Sequence, residues 1–466
     1  MKHCYLILPT AFVLASCTLG PDFQVPGISG GTKWKEGAAT PAARLPDHWW
    51  RLFNDSELNR LVDRALTANN DLAAAKARVD TSRALVGVDQ AKMFPTLDLL
   101  GDAGVSRSSA DALRGNLPPG ANVDLESQRY RGSFDLAYDP DLWGRNKRLI
   151  EASSAQAAAT EALLDSLRLG VATEVARQYF LLRGLDAQEA VLNDTLRSRR
   201  EALDIQKSKL DAGLTDGLAF SRASTEVELA DNDLALVQRQ RGSAENALAV
   251  LCGTTPSGFN IAIREPVRTL PTIRAGLPAE VLMRRPDVRA AEQELRAANA
   301  QIGVAETAFY PNFNLTASAG FDSIDVKRFL NWENRILSLG AGVAAPLIDG
   351  GSNKANYQAA RSRYDEALAK YRQTLLIALR EVEDALVDLK GLAHSRAALE
   401  RAVTSATETQ KLAQERYDKG LTNYLDVVDA ERTVLQTRLA LSEVDAQQRV
   451  SLAALAKALG GGWSGK

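Results

Sequence analysis

Four short segments of the chain alternate apolar and polar residues with a period of two. They cover residues 97–106, 130–138, 312–321 and 337–345, with Leu, Phe, Tyr, Val, Ala or Gly at every second position and mostly Asp, Ser, Asn, Thr or Gly between. This alternation predicts β-strands with one apolar face. It fits half-buried strands of a soluble sandwich, and the length of about ten residues also fits a tilted strand that crosses a bilayer.

Two long stretches without internal proline, residues 141–255 and 347–466, contain mostly Ala, Leu, Glu, Arg, Gln and Asp. This composition predicts helices. A helix from about Arg145 to Leu210 would be on the order of 100 Å long, which exceeds one globular core. In the second stretch apolar residues recur at three- and four-residue steps, a seam typical of coiled packing: Leu368, Tyr371, Leu375, Leu379, Val382, Leu386 and Leu389.

Each helical stretch is interrupted once by the tripeptide Gly-Leu-Thr. A helix can end there in a left-handed glycine cap, and the chain can reverse direction. The glycine serves the turn itself, whereas an exposed leucine at a tip points to a partner protein. We therefore expect two helical hairpins with these tip residues: Gly213, Leu214 and Thr215 in the first, and Gly420, Leu421 and Thr422 in the second.

Residues 1–16 have the anatomy of a bacterial secretory signal. Lys2 precedes a short apolar run that ends in Leu14-Ala15-Ser16-Cys17. Small residues before a cysteine are typical of the lipoprotein form of this signal, so Cys17 is predicted to become the first mature residue and to carry palmitate or a similar lipid. Thr18, and not Asp, follows the cysteine, and this pattern resembles that of lipoproteins sent to the outer membrane. Beyond Cys17, no stretch approaches the ~18 to 20 apolar residues of a membrane-spanning helix, so any crossing must use strands.

The two halves of the mature chain repeat one another. Residues 93–95, 140–144 and 211–218 return as residues 309–311, 346–350 and 418–425, at nearly constant spacing. Each half is expected to contain a helix, a strand, a loop, a second strand and a long helical hairpin. The sequence thus predicts a signal peptide over 1–16, an N-terminal segment plus first repeat over 17–276, and a second repeat over 277–466.

Composition removes several functional classes. The formal net charge is −2 at pH 7, and the chain has three each of His, Cys and Met. No basic footprint for nucleic acid is present, and no GxxxxGK phosphate loop or nucleophile–base arrangement is visible. We therefore expect no enzyme activity, no cofactor, no metal site and no nucleic-acid partner. Cys252, the one other cysteine of a chain that begins at Cys17, is expected to be a buried structural thiol.

Four strands per chain cannot close a membrane barrel. The smallest such barrels have about eight strands, and lipid does not tolerate open sheet edges. The outer-membrane signal and the aromatic residues at strand ends favour strands in a membrane over a soluble sandwich. The chain is therefore expected to oligomerise, and three copies in cyclic symmetry would supply twelve strands.

Alternating strands in duplicate halves, each followed by a Gly-interrupted helical hairpin, resemble the outer membrane factors of tripartite efflux and type I secretion systems, the TolC-like family. The lipidated OprM-like or NodT-type branch is the most similar. The resemblance extends from Cys17 to about Gly460. Its specific motifs are Gly20-Pro21-Asp22-Phe23, Trp49-Trp50-Arg51-Leu52-Phe53-Asn54-Asp55, Leu277-Pro278 and Arg284-Arg285-Pro286-Asp287-Val288.

The resemblance implies a homotrimer whose twelve strands form one outer-membrane β-barrel, continued by an α-helical barrel in the periplasm. The fold class is then α with membrane β, built from a duplicated strand-strand-hairpin unit. The hairpin tips would meet a periplasmic adaptor, or membrane fusion protein, that links the trimer to a proton-driven inner-membrane pump. The protein would be lipid-anchored in the outer membrane, in contact with its lipid, and would extend into the periplasm.

The resemblance also implies a closable periplasmic aperture. The segment 424–430 matches the family motif that carries two acids at this aperture. Asp426 and Asp429 are one helical turn apart, so threefold symmetry would gather six carboxylates, which would bind cations and favour cationic passage. Acids in a first helical turn also complement the helix dipole. Of a latch that closes some relatives the chain keeps only Tyr417, and we hypothesise that Arg222 pairs with Asp426 or Asp429 to hold the tip shut.

The favoured function is a passive exit duct of a tripartite efflux system, which carries drugs or other small toxic compounds across the outer membrane and so supports antibiotic resistance. A type I protein-secretion duct uses the same architecture and is an alternative function. So is a function of another class, a lipid-anchored periplasmic coiled-coil scaffold. Lipidation and the Gly-Pro-Asp-Phe start favour efflux over secretion.

Overall fold

The structure is a computed structural model of the 466-residue chain. It describes residues 18–27, 34–35, 45–109, 125–264, 270–276 and 278–461. The predicted signal peptide, the predicted lipidation site Cys17 and the predicted start of the second repeat at Leu277 lie outside the described residues. Among the described helices, none combines the length and the apolar character needed to cross a membrane.

The chain forms two compact units. The strand unit consists of the described parts of residues 1–25, 80–158 and 293–369, and the helical unit of those of 26–79, 159–292 and 370–466. Each unit therefore contains segments from both halves of the sequence. The duplication does not divide the chain into two bodies, because the elements of one half pack against those of the other.

The strand unit contains one antiparallel sheet in the order β1-β2-β3-β4. Its strands are β1 (Thr96–Arg107), β2 (Glu126–Tyr138), β3 (Asn312–Ser323) and β4 (Arg335–Ala344). The register places Leu99 opposite Phe134, and Ala319 opposite Leu337. The alternating apolar residues of all four strands thus share one face, as the sequence predicts, and the side chains on this face are largely exposed, up to 88% at Leu339.

Helices make up most of the described residues. They include α1 (Ser56–Ala68), α2 (Asn70–Ala91), α3 (Arg145–Asp211), α4 (Gly217–Leu251), α5 (Pro278–Arg284), α6 (Pro286–Thr307), α7 (Ser352–Asp418) and α8 (Tyr424–Ala458). The predicted helix from about Arg145 to Leu210 is confirmed as α3. The hairpin α3–α4 repeats as α7–α8 with the same lengths, 67 and 35 residues.

The helical unit has a core to which distant parts of the sequence contribute. Trp49 and Trp50, in a short 3-10 helix, are fully buried with residues of α1, α3, α4 and α8. The phenol of Tyr179 donates a 2.6 Å hydrogen bond to Asp55, which also caps α1. Cys252 is a buried free thiol, as expected. On the seam predicted for α7, Tyr371, Leu375 and Val382 are buried and their neighbours partly so.

The turns after β2 and β4 have the same local geometry, but their matching residues differ by one position from the match made on sequence alone. Gly144 and Gly351 both have positive φ, 75° and 89°, directly before a long helix. Two residues later, the side-chain amide of Asn146 donates to the carbonyl of Lys92, the first residue after α2, at 3.2 Å. In the same way the side-chain amide of Asn353 donates to the carbonyl of Ala308, the first residue after α6, at 2.9 Å. The sequence comparison that set Gly144 against Gly350 is therefore wrong by one residue, because the second turn contains an additional glycine.

Candidate functional site

Both helical hairpins reverse at the predicted glycines. Gly213 and Gly420 have φ of 70° and 69°, a left-handed conformation that glycine adopts without the strain of a Cβ. The following amide in each turn, that of Leu214 or Leu421, donates to a carbonyl five residues earlier, at 2.8 and 2.9 Å. These bonds satisfy carbonyls that the helix end would otherwise leave free.

The hairpin tips present apolar side chains to solvent. Leu214 is 78% exposed and Leu421 is 65% exposed, while the neighbouring Thr215 and Thr422 are half-buried. Leu218, in the first turn of α4, is also exposed. Side chains of this kind at the end of a hairpin give no support to the fold of a single chain.

Asp426 and Asp429 lie one turn apart at the start of α8, and both are exposed. The hydroxyl of Thr422 donates a hydrogen bond to the Asp426 carboxylate. The cation nearest to Asp429 is Arg432, one turn further along the helix, with Nη1 at 3.7 Å from Oδ1. Both carboxylates have a partner within the chain, and both remain accessible to further groups on one side of the helix.

Arg222 does not pair with either acid within one chain. Among the described residues it has no ion pair or hydrogen bond, and it lines a groove of about 200 Å³ between α4 and α8 with Glu226, Leu425 and Arg432. Arg432 takes the place beside Asp429 that sequence reasoning gave to Arg222. The i, i+3 spacing of Asp429 and Arg432 was the signal that could have identified this pair.

A buried ion network ties three helices together behind the acids. Glu226 of α4, whose side chain is 4% exposed, lies between Arg199 of α3 and Arg432 of α8. The Nη2 atom of Arg199 is 3.0 Å from the Glu226 carboxylate, and its Nη1 donates to the Glu226 carbonyl at 2.7 Å. Nothing in the sequence brings these positions together, so the network was not predicted.

Two tyrosines pack below the second tip. The Tyr417 hydroxyl lies 3.0 Å from the amide nitrogen of Gln206, and the Lys209 ammonium lies 4.6 Å from the centre of the Tyr417 ring. Tyr417 thus joins the end of α7 to the end of α3. The Tyr424 ring is 5.5 Å away, and burial raises the pKa of its phenol to about 12.

The arrangement at the tips is that of an end surface held by ion pairs and aromatic packing. Buried ion pairs and tyrosines fix the helix ends, while carboxylates and leucines remain accessible. In the described part of the chain, no group of three or more His, Cys, Asp or Glu side chains is placed to hold a metal ion. Such a surface can bind a partner protein or exert a negative field on passing solutes.

Comparison with known proteins identifies the class to which this geometry belongs. The model of the family described as outer membrane efflux protein matches residues 61–254 and 277–461. The solvent efflux pump outer membrane protein SrpC of Pseudomonas putida is 34% identical, over 100% of this chain and 99% of its own length. The outer membrane protein OprJ of Pseudomonas aeruginosa is 32% identical, over 97% and 94%.

A solved structure of the outer-membrane channel OprN agrees with the fold. It matches with a TM-score of 0.88 at 30% identity, and the match covers 96% of this chain and 99% of that one. The family model and the relatives together span both repeated halves, from the first helices to the end of α8. The chain therefore belongs to the outer membrane efflux protein family, and it is an outer membrane channel component of an efflux system.

Proposed function

We propose that three copies of this chain close one outer-membrane barrel of twelve strands and form a passive exit duct for small toxic compounds. The observation that carries the proposal is the four-stranded sheet, which has an exposed apolar face and open edges at β1 and β4. Unpaired edge groups are too costly to leave in lipid, and neighbouring copies can satisfy them.

The proposed partners are a periplasmic adaptor and an inner-membrane pump driven by protons. The exposed Leu214 and Leu421 at the tips offer the adaptor an apolar surface of the kind buried in protein interfaces. The name of SrpC, a solvent efflux pump protein, supports small apolar toxic compounds as the substrate class. In this scheme the pump supplies the energy and the chain supplies the path.

The aperture is proposed to lie where the tips of three copies meet. Asp426 and Asp429 would line it as rings of carboxylates, and Arg222, which has no partner within the described residues of its own chain, would pair with an acid of the neighbouring copy.

We expect Arg222→Ala to raise single-channel conductance in planar bilayers, because the pairs that hold the aperture closed are lost. Unchanged conductance would remove Arg222 from the closing mechanism.

Cys17 is proposed to carry the lipid anchor. The small residues before it match a lipoprotein signal. Labelling with radioactive palmitate should be present in the wild type and absent from Cys17→Ser. We expect the trimer to survive this substitution, because the strands themselves hold the protein in the membrane.

The experiment that tests the duct compares unheated and heated protein on a denaturing gel and then measures conductance of the unheated species. A heat-sensitive trimer with pore activity is the expected result. A monomer without pore activity would contradict the duct and favour the periplasmic scaffold.

Deletion of the gene should increase sensitivity to organic solvents and drugs, whereas loss of one secreted protein without this sensitivity would favour a protein-secretion duct.

A further inference from the structure

The first described residues of the chain, Thr18–Phe23, lie on the strand unit in a defined path, and we call them the strap. The amide of Leu19 donates to the Trp143 carbonyl at 3.2 Å. The side-chain amide of Asn299 on α6 donates to the Pro21 carbonyl at 2.7 Å. These contacts bind the strap to the beginning of α3 and to α6, although it has no regular secondary structure of its own.

Arg148 of α3 is the centre of this contact. Its side chain is 5% exposed, and its guanidinium donates to the carbonyls of Leu19 and Gly20 at 2.9 and 3.0 Å. It also pairs with Asp22 at 3.2 Å and with Glu151 at 2.8 Å. A buried guanidinium needs several acceptors to offset its desolvation, and the strap supplies most of them here.

Glycines let the strap approach the helices at backbone distance. A Cβ on Gly303 of α6 would lie 2.8 Å from the Leu19 carbonyl oxygen, and a Cβ on Gly20 would lie 2.4 Å from the Gly303 Cα. Gly144, just before α3, would meet the Thr18 Cα at 3.0 Å. Any larger residue at these positions must displace the strap, so the site is shaped for this segment of the chain.

We propose that Arg148, Asn299 and Gly303 form a receptor for the strap, which fixes the point where the lipid on Cys17 joins the folded body. This inference rests on the lipidation of Cys17 proposed above. Thr18, one peptide bond from Cys17, contacts the turn between β2 and α3, where a membrane strand ends. A bound strap therefore holds the acyl chains at the membrane edge of the sheet. A free strap would act as a flexible tether and lower the effective concentration of the acyl chains at that edge.

The test uses full-length protein with Arg148→Met and with Gly303→Ala. The matched control is Gly87→Ala, a helical glycine of the same unit with nothing within 4 Å of the added Cβ. Hydrogen exchange of the Leu19 amide, which donates to the Trp143 carbonyl, should lose protection about tenfold or more in both variants of the detergent-solubilised protein and not in the control. Appearance of the heat-sensitive trimer in the outer membrane should slow severalfold in the same two variants.

The outcomes separate the receptor from the lipid. Unchanged protection of the Leu19 amide in both variants would overturn the receptor. Lost protection with normal insertion, in protein that still takes up palmitate, would overturn its role in placing the anchor. A wild type that takes up no palmitate would instead contradict lipidation of Cys17 and leave no anchor for the strap to place, whatever the exchange data show.

Discussion

At the residue scale, the carboxyl of Glu431 on α8 is a titrating group below the tips. Burial raises its pKa, Arg199 opposes this shift, and the nearby Glu226 adds to it. The folded protein thus holds this proton more tightly than the unfolded chain, so ionised Glu431 destabilises the fold above the ordinary pKa of 4.5. We expect Glu431→Gln to raise the thermal midpoint at pH 7, and the gain to vanish as the pH falls below about 4.5.

The measurement is thermal unfolding of the solubilised protein, followed by circular dichroism at several pH values. Glu408→Gln, at an exposed position on α7, is the matched control and should change little. A gain that persists undiminished in acid, or that is absent at neutral pH, would assign Glu431 no part in the pH dependence of stability.

Asp186 of α3 tests the buried charges of the helical unit. Its side chain is 1% exposed and pairs with Arg183 at 2.5 Å and with Arg241 at 2.7 Å. Asp186→Ala leaves two guanidinium groups without this partner and should lower the free energy of unfolding by about 3–5 kcal/mol. On the same helix, the pair of Asp194 with Arg197 is exposed, so Asp194→Ala should cost less than about 1 kcal/mol. Equal effects in urea unfolding would contradict this account.

Sequence reasoning at this scale succeeds where one residue type is required by local geometry. Gly213 and Gly420 were predictable because a left-handed helix end favours glycine. The contact between Glu226 and Arg199 was not, because it depends on how two helices face each other. For the same reason Arg222 was assigned a partner that one chain does not provide.

At the element scale, α3 was predicted almost to the residue, and the breaks at Gly213 and Gly420 were predicted in both hairpins, since proline-free stretches and glycine breaks define helices locally. Glycine has opposite effects at two places in these hairpins. Gly420 has positive φ with open space around it, so Gly420→Ala should destabilise by about 1 kcal/mol through backbone strain alone. Gly391 lies inside α7, also in open space, so Gly391→Ala should stabilise by about 1 kcal/mol. Urea unfolding of both variants measures the change in the free energy of unfolding. A change of the same sign in both variants would contradict the opposite roles given to Gly420 and Gly391.

At the scale of the whole molecule, the proposed trimer predicts a strand register. Where the two halves meet within a chain, Gly132 of β2 lies opposite Phe321 of β3. The equivalent residues are Leu339 of β4 and Val105 of β1, if the turns are matched at Gly144 and Gly351. Leu339 of one copy should therefore lie opposite Val105 of the next, which continues the apolar face around the barrel.

Cysteine cross-linking measures this register. The double variant Leu339→Cys and Val105→Cys should form a disulfide between copies under mild oxidation and give a covalent trimer on a gel. In the control, Ser338→Cys with Val105→Cys, the two side chains point to opposite faces and should react poorly. Efficient coupling of the control pair instead would indicate a register shifted by one residue.

The division of each compact unit between both halves of the sequence has a consequence for biogenesis. Trp49 and Trp50, early in the chain, share their core with Leu452 and Ala456 of α8. Contacts between such distant residues can form only after nearly the whole polypeptide has crossed the inner membrane. During export these two tryptophans therefore cannot reach their final core until α8 arrives, and the incomplete chain exposes apolar surface that favours aggregation.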